Sequence, residues 1–338
     1  MSLIIRPSEA LPCSALLVSI FAIAYIWHSF ISLPMVNLGY GCYRASTLRQ
    51  ATGYYEFLDI RYAAAPLDHL RFQPAVPPRV GKPFIQEYRE RRICPQAASS
   101  LPPAAIQPKP QSSVNQTVPL HHSSKSDLKP DRRQSETEDC LFLDIYVPKP
   151  ILDRRRHVVE GEIQGVPVIV WIHGGEHTSG SKALLDGPID ISRNSWSHHS
   201  HPSFILVSIN YRLGAFGWLS GISLEAQNGT SNVGLHDQRM ALHWVQDHIH
   251  LFGGDGTRIA VIDNNTSVKH DVPRPVPSLI QHTNDSPLRR YSSPLHKLHD
   301  RTFEEFLRFA NVSSLTEARS LPSERLIAAN AAVFGSIS

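Results

Sequence analysis

Phe204-Ile-Leu-Val-Ser-Ile-Asn210 is a short apolar run of the kind that a strand buried on both faces requires. Leu235 to Phe252 follows and reads as a helix. Met240, Ala241, Trp244, Val245, Ile249 and Phe252 recur at three- and four-residue steps, so they share one face. Gly253-Gly254 can end that helix, since glycine accepts the left-handed C-cap conformation. Arg258-Ile-Ala-Val-Ile262 is a second buried strand. Two parallel strands joined by a helix need a right-handed crossover, the repeating unit of a doubly wound sheet. The pattern predicts an α/β fold, with a mostly parallel, doubly wound sheet and flanking helices.

The turn after the second strand is where such sheets place their chemistry. Here it reads Asp263-Asn264-Asn265-Thr266-Ser267. A serine hydrolase of this architecture carries Gly-x-Ser-x-Gly there; the glycines permit a strained elbow and keep Cβ atoms off the next helix. Neither glycine is present. None occurs between Gly256 and Gly335, so the elbow has not slid along the chain.

With 338 residues the chain has room for two average domains or one large α/β domain. An apolar fraction of 41% suffices for a sizeable core. A net charge of +3 gives no strong attraction to nucleic acid or acidic lipid. The 26 prolines imply long irregular connections. No cofactor is expected.

Leu11 to Met35 contains no charged residue, Arg6 precedes it, and Ala15 to Trp27 is its most apolar part. Residues 1–35 are therefore expected to be a secretory signal peptide. The alternative is an uncleaved signal anchor within 11–35, the one route by which this chain would meet a membrane. Secretion would leave Cys42, Cys94 and Cys140, one disulfide pair and one leftover thiol. Sequons at Asn115, Asn228, Asn264, Asn265, Asn284 and Asn311 agree with that route.

From Val36 the chain alternates short strands and turns. Tyr54 to Tyr62, Leu141 to Val147 and Val166 to Ile172 read as strands, the last followed by His173-Gly174-Gly175. Residues 99–136, rich in Pro, Ser, Gln and Lys, read as a long surface loop. Residues 266–301 read as irregular, with His270, His282, His296 and His299 as solvated loop residues. His198-His199-Ser-His201 reads as surface loop and not as a metal site, since acidic or thiolate ligands are not evident nearby. Beyond it, Thr302 to Val312 puts Phe303, Phe306, Leu307 and Ala310 on one helical face, and Pro322 to Asn330 reads as another helix. Thr302 with Glu305 and Ser314 with Glu317 both have capping-box spacing.

Several long blocks in order resemble the type-B carboxylesterases, the α/β-hydrolase group that includes cholinesterases and fungal lipases. They are Glu138-Asp-Cys-Leu-Phe-Leu-Asp-Ile-Tyr-Val-Pro148, Asn210-Tyr-Arg-Leu-Gly-Ala-Phe-Gly217, Gly234-Leu-His-Asp-Gln-Arg239, and Arg61-Tyr-Ala-Ala-Ala-Pro66 with Leu70-Arg-Phe72. The resemblance implies that residues 36–338 are the N-terminal part of one α/β-hydrolase domain, with its C-terminal portion missing. It implies a Cys94–Cys140 disulfide. It implies a carboxylic ester as substrate, attacked by a serine, with no cofactor or metal. His173 to Gly180 is similar to the family's oxyanion-hole loop, whose backbone N–H groups receive the negative oxygen of the tetrahedral intermediate. Gly174 and Gly175 match it, and Glu176 stands where a third glycine is expected. At the elbow Asp263 stands for the first glycine, Asn265 for the serine and Ser267 for the last glycine. Asparagine offers no oxygen nucleophile for a base to activate, and the acid and histidine of the triad are expected beyond this chain.

The expectation is thus a chain of esterase ancestry that is itself inactive. Two alternatives stand beside it: a secreted, non-catalytic binding or adhesion protein on the same scaffold, and an active esterase of which this chain is a misassembled product. On the leading reading Val333-Phe334 would lack packing partners.

Overall fold

The structure is a computed structural model that describes residues 33–49, 53–80, 85–86, 91–97, 134–185, 204–263, 274–275 and 293–335. Seven strands form the main sheet: β1 (Thr47–Arg49), β2 (Tyr54–Arg61), β3 (Phe142–Pro148), β4 (Val166–Ile172), β5 (Ile205–Ile209), β6 (Gly254–Asp263) and β7 (Arg274–Pro275). Their order across the sheet is β7-β6-β4-β5-β3-β2-β1.

The two strands that open the sequence reading are β5 and β6. Both run parallel to β4, which lies between them. The helix joining them is α1 (Val233–His248), extended by a tighter turn, Ile249–Phe252, and closed by Gly253 at φ 91°. That left-handed value is the reason glycine ends the helix.

The sheet is mixed, which corrects the expectation of a mostly parallel one. Only the β6–β4 and β4–β5 pairs are parallel; β5–β3, β3–β2, β2–β1 and β6–β7 are antiparallel. Only four residues join β1 to β2, too few for anything but antiparallel pairing, whereas parallel pairing needs a crossover of a dozen or more residues such as α1 supplies.

Every residue of β3 and β5 is buried, because helices and loops cover both sheet faces. A second apolar cluster lies beside the sheet, built on α2 (Ser293–Ala310), α3 (Leu315–Arg319) and α4 (Ser323–Gly335). Phe303, Phe306, Leu307 and Ala310 face it as their spacing predicted. Phe72 enters the same cluster, edge-on to Phe306 at 5.6 Å. Each fully buried Phe contributes roughly 1.5–3 kcal/mol.

Several local readings change. Helix α2 starts at Ser293, inside the stretch read as irregular, so His296 and His299 are helical; His270 and His282 lie outside the described residues. Thr302 is interior to α2 and its hydroxyl donates to Leu298 O at 3.0 Å, so it is not a cap. Ser314 is one: its Oγ accepts from Glu317 N–H at 3.2 Å. Val333 does not lack partners; it is wholly buried in the second cluster, because α4 packs on α2. Within 99–136, residues Gln134–Glu136 pair with Arg91–Ile93 as a short parallel ribbon. The rest of that loop, the leader up to residue 32, and the 198–201 histidines lie outside the described residues. Among the described residues no helix is long and apolar enough to cross a membrane.

Candidate active site

Three chain exits share one edge of the sheet. Ile172 stands opposite Ile209 on one side and Asp263 on the other, all at the C-terminal ends of parallel strands. His173-Gly174-Gly175 and Asn210-Tyr211 therefore leave the sheet side by side, next to the end of β6 at Asp263, at the place where α/β sheets carry chemistry. Asn264 and Asn265 themselves lie outside the described residues.

The turn after β4 is left-handed over three consecutive residues: Gly175 at φ 112°, Glu176 at 54° and His177 at 64°. A Cβ on Gly175 would lie 2.2 Å from Ser179 O, so the turn closes only with glycine there. Glu176, standing where a glycine is expected, adopts the left-handed conformation at a cost of about 1–2 kcal/mol, with its side chain exposed.

Aromatic stacking holds the turn against the exit of β5. The His173 ring lies 4.4 Å from Tyr211 at 14°, and His177 lies 3.6 Å from Trp218 at 20°. Tyr211 Oη donates to His173 O at 3.0 Å. Burial pushes the His173 imidazole down to about 4, against the raising effect of its contact with Gly174 O; burial lowers His177 as well. Both rings are thus neutral at pH 7.

The Asn210–Gly217 block explains its own composition. Asn210 Nδ2 donates to Arg92 O and Cys140 O, and its Oδ1 accepts from Lys182 N–H. Arg212 makes a buried two-point pair with Asp237 of α1, at 2.8 and 2.7 Å. A Cβ on Gly214 would lie 2.2 Å from Asn330 Oδ1, which accepts from Ala215 N–H. Cys94 and Cys140 are bonded, Sγ to Sγ at 2.01 Å, and Cys42 is the leftover thiol.

Sequence reasoning singled out Gly174, Gly175 and Glu176 but missed the groups around them: Tyr211 and Trp218, stacked on His173 and His177, and Gln96, which bonds Gly180 at the end of the turn. Tyr211 and Trp218 lie in or next to a quoted block. Nothing in the sequence pairs Gln96 with the turn.

The profile of the Carboxylesterase family matches residues 33–266. The chain belongs to the carboxylesterase family. It is 34% identical over 329 residues to the carboxylesterase patB of Penicillium expansum, covering 90% of this chain and 57% of that relative. A secreted lipase of Arthroderma benhamiae is 42% identical over 131 residues, 38% of this chain and 24% of that protein. Among solved structures, EstA of Aspergillus niger superposes with a TM-score of 0.59 at 25% identity, over 88% of this chain and 50% of that one. The fold is that of the α/β-hydrolase esterases. This carboxylesterase-family chain spans about half the length of the curated relatives it matches.

Proposed function

We propose that this chain keeps the ester-hydrolase scaffold of its family but does not carry out serine acyl transfer at the elbow. The observation that carries this reading is the sequence at the exit of β6. β6 ends at Asp263, in register with Ile172, and the sequence runs on from there as Asp263-Asn264-Asn265-Thr266-Ser267. Asn265 cannot attack an ester carbonyl, and an elbow without its glycines cannot present a neighbouring hydroxyl instead. Glu176 adds a carboxylate to a turn that would otherwise receive negative charge. A carboxylic ester remains the ligand class that the family fold favours.

The same reading sends the chain through the secretory route. The apolar leader, the Cys94–Cys140 disulfide, and sequon asparagines at Asn228 and Asn311, both exposed, support it.

The test is labelling of the purified full chain with a fluorophosphonate, alongside turnover of short p-nitrophenyl esters. The expected result is no stoichiometric adduct and no burst of p-nitrophenol. An adduct on a serine of this chain, with turnover abolished by the label, would overturn the proposal.

A further inference from the structure

Asp144 is the one charged residue of β3, a strand buried along its whole length. It shares a face with Tyr146, over which Tyr54, Leu58, Leu185 and Leu206 pack. Lys182, also fully buried, reaches it from the turn that follows the glycine loop. Its Nζ lies 2.6 Å from Asp144 Oδ1 and 2.6 Å from Asp59 Oδ1. The backbone of Lys182 is pinned on both sides: its N–H donates to Asn210 Oδ1, and its carbonyl accepts from Ser208 Oγ at 2.7 Å. Asp59 sits at the bulge of β2, at φ 54°, and its N–H donates to Asp144 Oδ1 at 2.8 Å. Asp144 Oδ2 has no hydrogen-bond partner among the described residues.

An amine is therefore held between two carboxyl groups in a site open to water only at Asp59, with side-chain exposures of 0% for Lys182 and Asp144 and 12% for Asp59. Two carboxylates and one ammonium leave an excess negative charge. Burial, and then the Asp144 carboxylate, push Asp59 above the ordinary aspartate range against the pull of Lys182. Burial disfavours the Lys182 ammonium, but the two carboxylates outweigh it, so the resting amine is charged.

We infer that Lys182 Nζ and Asp144 Cγ condense to an intramolecular isopeptide bond, with Asp59 as the proton carrier. One proton passes from the ammonium to Asp144 Oδ1, 2.6 Å away, and the freed lone pair attacks Cγ, with negative charge collecting on Oδ2. Asp59 takes a second proton from nitrogen and gives it to Oδ1, which leaves as water, so Asp59 ends as it began. One C–N bond forms, one C–O bond breaks, one water leaves, and no oxidant or cofactor is consumed. In water the condensation is uphill because both ions are well solvated. Here burial penalises both ions, and the amide removes them. Fixed contact also replaces encounter, which corresponds to effective molarities of about 10⁵–10⁸ M in well-oriented systems. Asp59, the least buried of the three, marks the side from which water departs.

The bond would tie β3 to the segment carrying the glycine turn, 38 residues along the chain. With Cys94–Cys140 it would give two covalent ties on either side of Asn210, which already bonds to both. It does not depend on chemistry at the elbow.

The test is peptide mapping by mass spectrometry of the full chain whose Cys94–Cys140 bond is intact before reduction. The expected product is a branched peptide joining the Asp144 and Lys182 segments, lighter than their sum by one water. Asp59→Asn is expected to slow joining by about 100-fold, the ordinary contribution of a positioned proton carrier. Lys182→Arg should give only linear peptides. Recovery of the two segments unjoined from disulfide-intact protein overturns the inference, as does a branch at Asp59 instead. Joining at wild-type rate in Asp59→Asn overturns the role of Asp59.

Discussion

Gln96 holds Gly180 by both of its backbone polar groups. Gly180 N–H donates to Gln96 Oε1 at 2.7 Å, and Gln96 Nε2 donates to Gly180 O at 3.1 Å. Gln96 lies two residues beyond the disulfide at Cys94, and its own carbonyl accepts from Asn330 Nδ2 of α4 at 3.1 Å. The end of the glycine turn, the disulfide and the second core are joined through this one amide.

Gln96→Ala removes both bonds and leaves the Gly180 N–H unpaired. It should destabilise the fold by about 1–3 kcal/mol, the cost of stranding a partly buried donor. Gly180→Ala should cost more. Its backbone is left-handed at φ 109°, and the new Cβ would lie 2.4 Å from His173 Nδ1 and 2.5 Å from Gly174 O. Urea midpoints of the two variants measure the order. Equal midpoints would count against this account of the turn.

His173 predicts an acid-sensitive fold. Its folded pKa, about 4, lies below its ordinary 6.5. Between those values the unfolded chain binds more protons than the native one, so stability rises with pH across that window. The contribution is full above about pH 6.5 and is lost as pH falls through 4. The difference amounts to about 3 kcal/mol for this buried ring. His177 and His236 shift in the same direction, chiefly by burial. Unfolding free energy measured from pH 7 downwards should fall, and His173→Gln should flatten the slope. An unchanged slope in that variant would assign the acid loss elsewhere.

Arg71 should prove indispensable for the second core. It bonds Glu138 at two points, 2.8 and 2.7 Å, and its Nη1 donates to Arg319 O and Leu321 O, where α3 hands over to α4. Arg71→Met leaves the Glu138 carboxylate buried without its cation, at a cost of about 3–5 kcal/mol. The double variant Arg71→Met, Glu138→Leu should recover part of that loss. Thermal unfolding of the four proteins in the cycle gives the coupling; strict additivity would refute it.

Much of the secondary structure is legible along the chain because it answers to local period. The Phe204–Asn210 run, the Leu235–Phe252 stripe and Val166–Ile172 become β5, α1 and β4 within a few residues. Gly253 closes α1 because no other residue enters φ 91° as cheaply. Capping shows where local reading stops. Thr302 with Glu305 and Ser314 with Glu317 have the same spacing, yet only Ser314 caps, since a hydroxyl caps only where the backbone has left the helix.

By itself, then, the sequence determined the α/β class, the family, the cysteine pairing expected from it, and the absence of a Gly-x-Ser-x-Gly after β6. These rest on residue types in order. Tertiary structure alone decided that β4 stands between β5 and β6, that the sheet is mixed, and that Glu176 turns left-handed. It also decided that Gln96 meets Gly180, and that Lys182 sits between Asp59 and Asp144. Those partners lie tens to more than a hundred residues apart. Their meeting depends on strand order and on burial shared across the whole sheet, which no local period encodes.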